Sequence, residues 1–494
     1  MYPGRAFVTL WRVTPPGSPR LRRPWSQRDR AVPRVVVRPL QDFLHWEASG
    51  GLLLLAATVV ALVWANVAFA SYEDLWSTEV RMQIGSWEFQ QDLLHIVNDG
   101  LMTLFFLVIG LEVKRELAVG ELRTRRAATL PVLAAAGGML LPAGVFALVT
   151  LGAEGAGGWG IPMATDTAFA LGVLALIGKR APPMLTTLLL AVAVIDDMGA
   201  MTVMTVFYSD GPDPVWFAAC VACLVVVAVL NRVHVRHIGP YLVVGALAWV
   251  AAASAGVHPT VVGVALGLLT PARPFQPPTA VAREAGAVAE AVEEEGHERV
   301  DPGSWRRLSH LSREAISPVN RIEHALHPWT SMVVVPIFAL ANAGIVLDSA
   351  SIDAAAGSAV TMGIVLGLVV GKPLGLVLGA FIAVRLGLSR MPRGVGWMHL
   401  VGLGSLAGIG FTISLFITGL AYSTADLTAA AKVGILAGSL LSASVGVVAL
   451  LWAHRRTRAA RRRAAELSGA ATPPAAPPAG AATTAALPTP DPRA

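Results

Sequence analysis

Two adjacent carboxylates, Asp196 and Asp197, lie in an apolar run, Ala191-Val-Ala-Val-Ile-Asp-Asp-Met-Gly-Ala200. A third, Asp166, lies in Gly160-Ile-Pro-Met-Ala-Thr-Asp-Thr-Ala-Phe-Ala-Leu-Gly172, and Lys372 lies in Gly367-Leu-Val-Val-Gly-Lys-Pro-Leu-Gly375. The chain has four lysines against 34 arginines, so a lysine between apolar flanks is conspicuous. A charge at the centre of a bilayer costs on the order of 3 kcal/mol on insertion scales, so each such group needs a partner or a task. An Asp196–Lys372 pair could serve as ion-pair glue between helices. The second acid argues against that, because one lysine neutralises one carboxylate and leaves the other for a proton or a cation. Burial and a like charge nearby both favour the protonated form of a carboxyl group, whereas a nearby ammonium favours the ionised form. Two such neighbours titrate as a coupled set. A site that takes either protons or a small hard cation performs exchange when it faces two compartments alternately.

These groups need a scaffold that lipid can surround. The 494 residues are 54% hydrophobic and 14% charged, with a mean hydropathy of +0.61. A soluble protein runs near a quarter charged, so the chain reads as an all-α polytopic membrane protein. Twelve apolar segments are long enough to propose as helices. They lie near 50–70, 93–113, 128–150, 159–178, 183–207, 214–231, 238–254, 257–270, 326–346, 358–384, 397–420 and 429–453. Basic residues stay on the cytoplasmic side, and 35 of the 38 Lys and Arg fall on alternate connections. Arg81 and Lys432 fall on the others, and Lys372 is inside the core. Twelve spans with both termini cytoplasmic is the expected topology.

The organisation that follows has five parts. Residues 1–42 are an Arg-rich cytoplasmic tail, and 43–270 carry helices 1–8. Residues 271–325 are a cytoplasmic loop with an acidic stretch, Glu290 to Glu298, expected to be flexible. Residues 326–453 carry helices 9–12, and 454–494 are basic, then a disordered Ala/Pro-rich tail. Residues 78–90 alternate in polarity around Gly85-Ser86 and read as a short external β-hairpin. Cys220 and Cys223 exclude a disulfide framework or a four-thiolate zinc site. Their spacing inside an apolar run reads as helix packing before redox chemistry. The net charge of +6 reflects arginine beside hydrophobic spans, not a nucleic-acid surface.

Helix breakers surround the intramembrane charges. Gly160, Pro162 and Thr165 precede Asp166, and Ala407-Gly-Ile-Gly-Phe-Thr-Ile-Ser414 interrupts the eleventh segment. Unwound backbone at mid-depth is tolerated only inside protein or beside water. Asp166 could offset the positive N-terminal ends of half-helices, and Lys372 the negative C-terminal ends. Interruptions at matching places in helices 3–5 and 10–12 suggest an inverted repeat, a pointer to a transport site. Asp99 and Glu112 lie nearer the two ends of the second segment.

These stretches resemble the NhaA family of sodium/proton antiporters. The strings are Asn98-Asp-Gly-Leu-Met with Phe105-Phe, Gly110-Leu-Glu-Val-Lys-Arg-Glu-Leu117, Met163-Ala-Thr-Asp-Thr-Ala-Phe-Ala-Leu-Gly-Val173 and Ile195-Asp-Asp-Met-Gly199. They continue with Gly256-Val-His and Thr260, Arg321-Ile-Glu-His-Ala-Leu-His-Pro-Trp329, Phe338-Ala-Leu-Ala-Asn-Ala-Gly344, Gly371-Lys-Pro-Leu-Gly375 and Gly408-Ile-Gly-Phe-Thr-Ile-Ser-Leu-Phe416. The resemblance implies twelve helices, two of them broken and crossing at mid-membrane, and electrogenic exchange of more protons than sodium ions in a bacterial plasma membrane. It implies that Asp197 is the principal carboxylate for Na+ or Li+ and for protons. Asp196 would pair with Lys372 and share in transient Na+ binding, and Asp166 and Thr165 would sit at the crossing. Glu112, Glu116, His258, Arg321 and Glu323 would belong to a cytoplasmic funnel or to pH response. The 78–90 hairpin would form a homodimer contact. No cofactor is implied.

Other readings remain at this point. Another monovalent cation/proton antiporter would use the same acids. An intramembrane aspartyl protease also needs two membrane aspartates, but on different helices, and a channel has no need of a Lys–Asp pair.

Overall fold

The apolar segments fold as helices, since lipid leaves no other way to satisfy backbone N–H and C=O groups along an open chain. The structure, a computed structural model, describes residues 49–84, 87–209, 211–235, 237–295 and 301–470. The tail 1–42, the Gly85-Ser86 turn and residues 471–494 lie outside the described residues. The chain opens with α1 (Ser49–Val67) and the short α2 (Phe69–Trp76). Strands β1 (Glu79–Ile84) and β2 (Trp87–Asp92) pair antiparallel, in register from Glu79 opposite Asp92 to Ile84 opposite Trp87. Next come α3 (Leu93–Ala118) and α4 (Arg125–Val149). A 3-10 stretch, Ala156–Met163, leads to α5 (Thr167–Ile177), then α6 (Pro183–Phe207), α7 (Pro214–Arg232), α8 (Ile238–Ser254) and α9 (Thr260–Leu269). After them lie α10 (Pro278–Glu295), α11 (Pro302–Glu314), α12 (Pro318–Asn342) and α13 (Ser349–Gly357). The last are α14 (Ala359–Arg385), α15 (Trp397–Ala407), α16 (Phe411–Ala421) and α17 (Ala425–Ala470).

Every expected membrane segment contains helix, but not all are full-length spans. Among the described residues nine helical segments are long and apolar enough to cross a membrane. They become ten if α15 and α16, bent by 47° at their break, count as one. Helices α8 and α9 have 17 and 10 residues. At 1.5 Å per residue, ten residues rise about 15 Å, half of a hydrocarbon core of about 30 Å.

Two regions depart from expectation. The 271–320 segment holds α10 and α11 instead of a flexible loop. The acidic run hid this, although Ala and Glu are strong helix formers. Arg307 pairs with Glu284 at 3.4 Å across the two helices, and the Phe275 and Gln276 N–H groups donate to the Glu314 carbonyl. Helix α12 then begins at Pro318, before the expected 326, and crosses the 325 boundary. At the far end, α17 runs on as helix through Ala470, so the tail from 454 begins helical.

Small residues bring the site-bearing helices together, as they must where lipid supplies no hydrophobic drive. Helices α4 and α14 meet at Gly137 and Gly375, where a Cβ on either would strike the other's carbonyl. Helices α3 and α9 run parallel, with Gly263 against the Thr103 carbonyl and Gly267 against Gly110. Cys220 is buried and Cys223 half-buried, both packed with Ala248, Ala252 and Val262, and both thiols are free. Pro336 and Pro373 each follow a π turn, Thr330–Val334 and Gly367–Gly371. A proline N lacks a proton and its ring clashes with the carbonyl four residues back, so a local widening lets the helix continue.

Candidate cation and proton site

The crossing of two broken helices organises the site. Between the 3-10 stretch and α5 the backbone is extended at Ala164 and Asp166. Between α15 and α16 the chain turns at Gly408 and Gly410. A Cβ at Gly408 would strike the Leu368 carbonyl and the Ser442 hydroxyl, so this break can pack only with glycine. The two breaks are joined directly, because the Asp166 N–H donates to the Ile409 carbonyl.

Each helix end exposed by a break has a partner. Asp166 Oδ1 accepts from the Phe169 N–H at 3.0 Å and caps α5. Its Oδ2 accepts from the Thr412 N–H at 3.1 Å and from the Thr412 hydroxyl at 2.8 Å, at the start of α16. One carboxylate therefore serves two helix N-termini, where backbone donors and the dipole both favour negative charge. The C-terminal ends are served separately. Lys372 Nζ donates to the Met163 carbonyl that ends the 3-10 stretch. The Thr165 hydroxyl lies 2.8 Å from the Ala407 carbonyl that ends α15.

Lys372 is fully buried and forms an ion pair with Asp196 Oδ2 at 2.9 Å. The Thr165 hydroxyl is 2.7 Å from the same oxygen. It has one proton and two acceptors in range, so it donates to Asp196 or to Ala407, not to both. Asp197 is the next residue on α6, turned about 100° around the helix axis. It is buried too, and neither Asp196 Oδ1 nor Asp197 Oδ1 has a hydrogen-bond partner. Buried polar atoms are nearly always satisfied, and the exceptions concentrate where a site does chemistry. Asp197 lies within electrostatic reach of Glu112, Asp166 and Lys372.

The remaining candidates divide. Glu112, Glu116 and Glu323 gather where α3 meets α12. Arg115 pairs with Glu323 and lies 3.7 Å from Glu116, and His327 Nδ1 lies 3.9 Å from Glu112. Glu323 Oε2 has no partner. The structure does not bring His258 into this group. Its ring sits 3.2 Å from the Tyr208 carbonyl, beside the start of α9 and the Asp99 end of α3. Glu112 is thirteen residues further along α3, about 20 Å at helical rise. Arg321 is exposed on α12. Asp99 lies in a π turn, Ile96–Leu101, whose Asp99 carbonyl accepts from Thr103 and Trp249. Sequence reasoning missed Thr412, Arg115 and His327. All three lie within the family-like stretches, and Arg115 and His327 lie one helical turn from Glu112 and Glu323, which is the signal that could have found them.

Intramembrane charges held at a crossing of unwound helices define a secondary transporter. Residues 41–450 match the model of the family described as Na+/H+ antiporter 1. The chain is 45% identical over 427 residues to the Na+/H+ antiporter NhaA of Rhodopirellula baltica, covering 84% of this chain and 94% of that protein. It is 44% identical over 423 residues to an NhaA of Sorangium cellulosum (85% and 90% covered). It is 43% identical over 417 residues to an NhaA of Frankia alni (84% and 89% covered). The chain belongs to the NhaA family of Na+/H+ antiporters.

Proposed function

We propose that this protein exchanges cytoplasmic Na+ or Li+ for external protons across a bacterial plasma membrane, by alternating access at the Asp196–Asp197 pair. The observation that carries this reading is the unequal pairing of the two acids. Asp196 is tied to Lys372, while Asp197 keeps a buried oxygen with no partner. That oxygen can take a proton, or it can take a small cation together with Asp196. Either occupant excludes the other, so each passage of the site from one side to the other carries protons or a cation, never both. When Asp196 is ionised, the Thr165 hydroxyl donates to it. When Asp196 is protonated it can donate to Thr165, which turns to the Ala407 carbonyl. Asp166 and Thr412 hold the two half-helices at the crossing through either state.

The wider architecture of this reading has twelve membrane helices, α8 and α9 included, with both termini cytoplasmic. It has an inverted repeat that relates the break before α5 to the break between α15 and α16. The shared cap at Asp166 supports it, since one residue serves equivalent ends of both halves. The α3–α12 cluster of Glu112, Glu116 and Glu323 is assigned to the cytoplasmic mouth, where it tunes response to pH. The β1–β2 hairpin is assigned to a homodimer contact.

A fluorescence-quench measurement in proteoliposomes, with Na+, Li+ and K+ titrated across pH, tests the activity. Dissipation of a proton gradient by Na+ and Li+ is expected, with a net charge moved per cycle. Activity with K+ alone would redirect the reading to a different cation/proton antiporter.

A further inference from the structure

The 3-10 stretch Ala156–Met163 carries half of the crossing, yet its own sequence specifies little. Gly155, Gly157, Gly158 and Gly160 lie within six residues, and Gly155 is left-handed at φ 94°. Glycines lose more freedom on ordering than any other residue, so an external brace has to hold this segment.

Two tyrosines supply it. Tyr208, the residue after α6, donates through its hydroxyl to the Gly157 carbonyl at 2.7 Å and accepts from the Gly160 N–H at 3.0 Å. Tyr422, the residue after α16, donates to the Gly155 carbonyl at 2.6 Å. The glycines are cut to fit these rings. A Cβ at Gly160 would stand 2.9 Å from the Tyr208 hydroxyl, and one at Gly158 would strike the Tyr422 hydroxyl. Trp159 packs on Phe207 and Tyr208, with ring centroids at 5.1 and 6.3 Å. Burial pushes both phenol groups above their ordinary range.

The placement matters more than the bonds alone. Helix α6 carries Asp196 and Asp197, and α16 carries Thr412. Each is followed by a tyrosine, and both tyrosines fasten to the start of the same short stretch, whose other end presents Met163 to Lys372 and leads into Thr165, which meets Asp196. We infer that Tyr208 and Tyr422 are positioning residues that bolt the 3-10 stretch to both site-bearing helices and seal the site from the external side. The word external rests on the topology proposed above. Release of these bonds is then a required part of opening the site outward.

The test uses the full chain in oriented membranes, with Cys220→Ser and Cys223→Ser and one new thiol, Ile161→Cys. Ile161 is fully buried between the bolts and the crossing, and its carbonyl accepts from Ser414 at 2.7 Å. Alkylation by a membrane-impermeant maleimide is timed from each side, with and without Tyr208→Phe plus Tyr422→Phe. Phenylalanine keeps the ring packing and removes only the hydroxyls. Labelling from outside is expected to accelerate about ten-fold or more, since the double variant removes three hydrogen bonds. The single variants should give smaller increases, and the apparent KM for Na+ should change more than the protein's thermal stability. Unchanged labelling from both faces overturns the bolt. Faster labelling from the cytoplasmic face instead would uphold the bolt and overturn the topology. If Ile161→Cys disturbs assembly, Met163→Cys reports on the same passage.

Discussion

The molecule treats its charges differently at the crossing and at the α3–α12 cluster. At the crossing each charge is buried and has few, single-purpose partners: Lys372 for Asp196 and the Met163 carbonyl, Asp166 for the starts of α5 and α16. At the cluster, Arg115, Glu116, Glu112 and His327 keep partial contact with solvent, Glu323 is buried against Arg115, and all of them share neighbours. Water can replace a lost partner at the second place but not at the first. The crossing should therefore fail outright when altered, whereas the cluster should shift by degrees.

Three substitutions can break or sharpen that contrast. The largest effect is expected for Asp197→Asn, which keeps the shape and removes the titrating group. Na+-dependent proton movement in everted vesicles should fall to background while the protein still inserts, and parental exchange would remove Asp197 from the site. Lys372→Ala comes next. It leaves Asp196 buried without its counter-charge, a change that typically costs about 3–5 kcal/mol. Thermal unfolding in detergent should show that loss, and the pH profile of exchange should move. A parental profile and stability together would show that the pair does not govern the acids. The smallest effect is expected for Glu112→Gln. Partly exposed pairs contribute about 0.2–1 kcal/mol, so exchange should persist with a few-fold change in apparent Na+ affinity or a displaced pH profile. Complete loss of exchange in this variant would place Glu112 with the crossing and erase the distinction.

The crossing was readable in the sequence because lipid makes charge and backbone breaks expensive. A lone lysine among leucines, valines and glycines, or an Asp after Gly-Ile-Pro, has few innocent explanations. Even the opposite duties of Asp166 and Lys372 followed from the helix dipole. The division of labour did not: the Ala407 end is met by Thr165, and Thr412 shares Asp166, because side-chain contacts across more than two hundred residues leave no local pattern. Outside the membrane the penalty vanishes and so does the signal. The sequence of α10 and α11 reads as loop, since an Ala/Glu segment is equally at ease solvated or helical. The resemblance implies a place for His258 beside Glu112, yet the parallel packing of α3 and α9 puts it at the other end of α3. The 257–270 segment is already short for a span in the sequence, and the helix within it is shorter still, at ten residues.

The glycine seam between α4 and α14 has a mechanical consequence. Two backbones that press directly on each other at Gly137 and Gly375 have no side-chain layer to slide upon. Lys372 stands on α14 one turn from that seam and so behaves as a fixed post. Any change of partner at Lys372 then falls to its own flexible side chain and to α6, which carries Asp196, and not to sliding of α14 along α4.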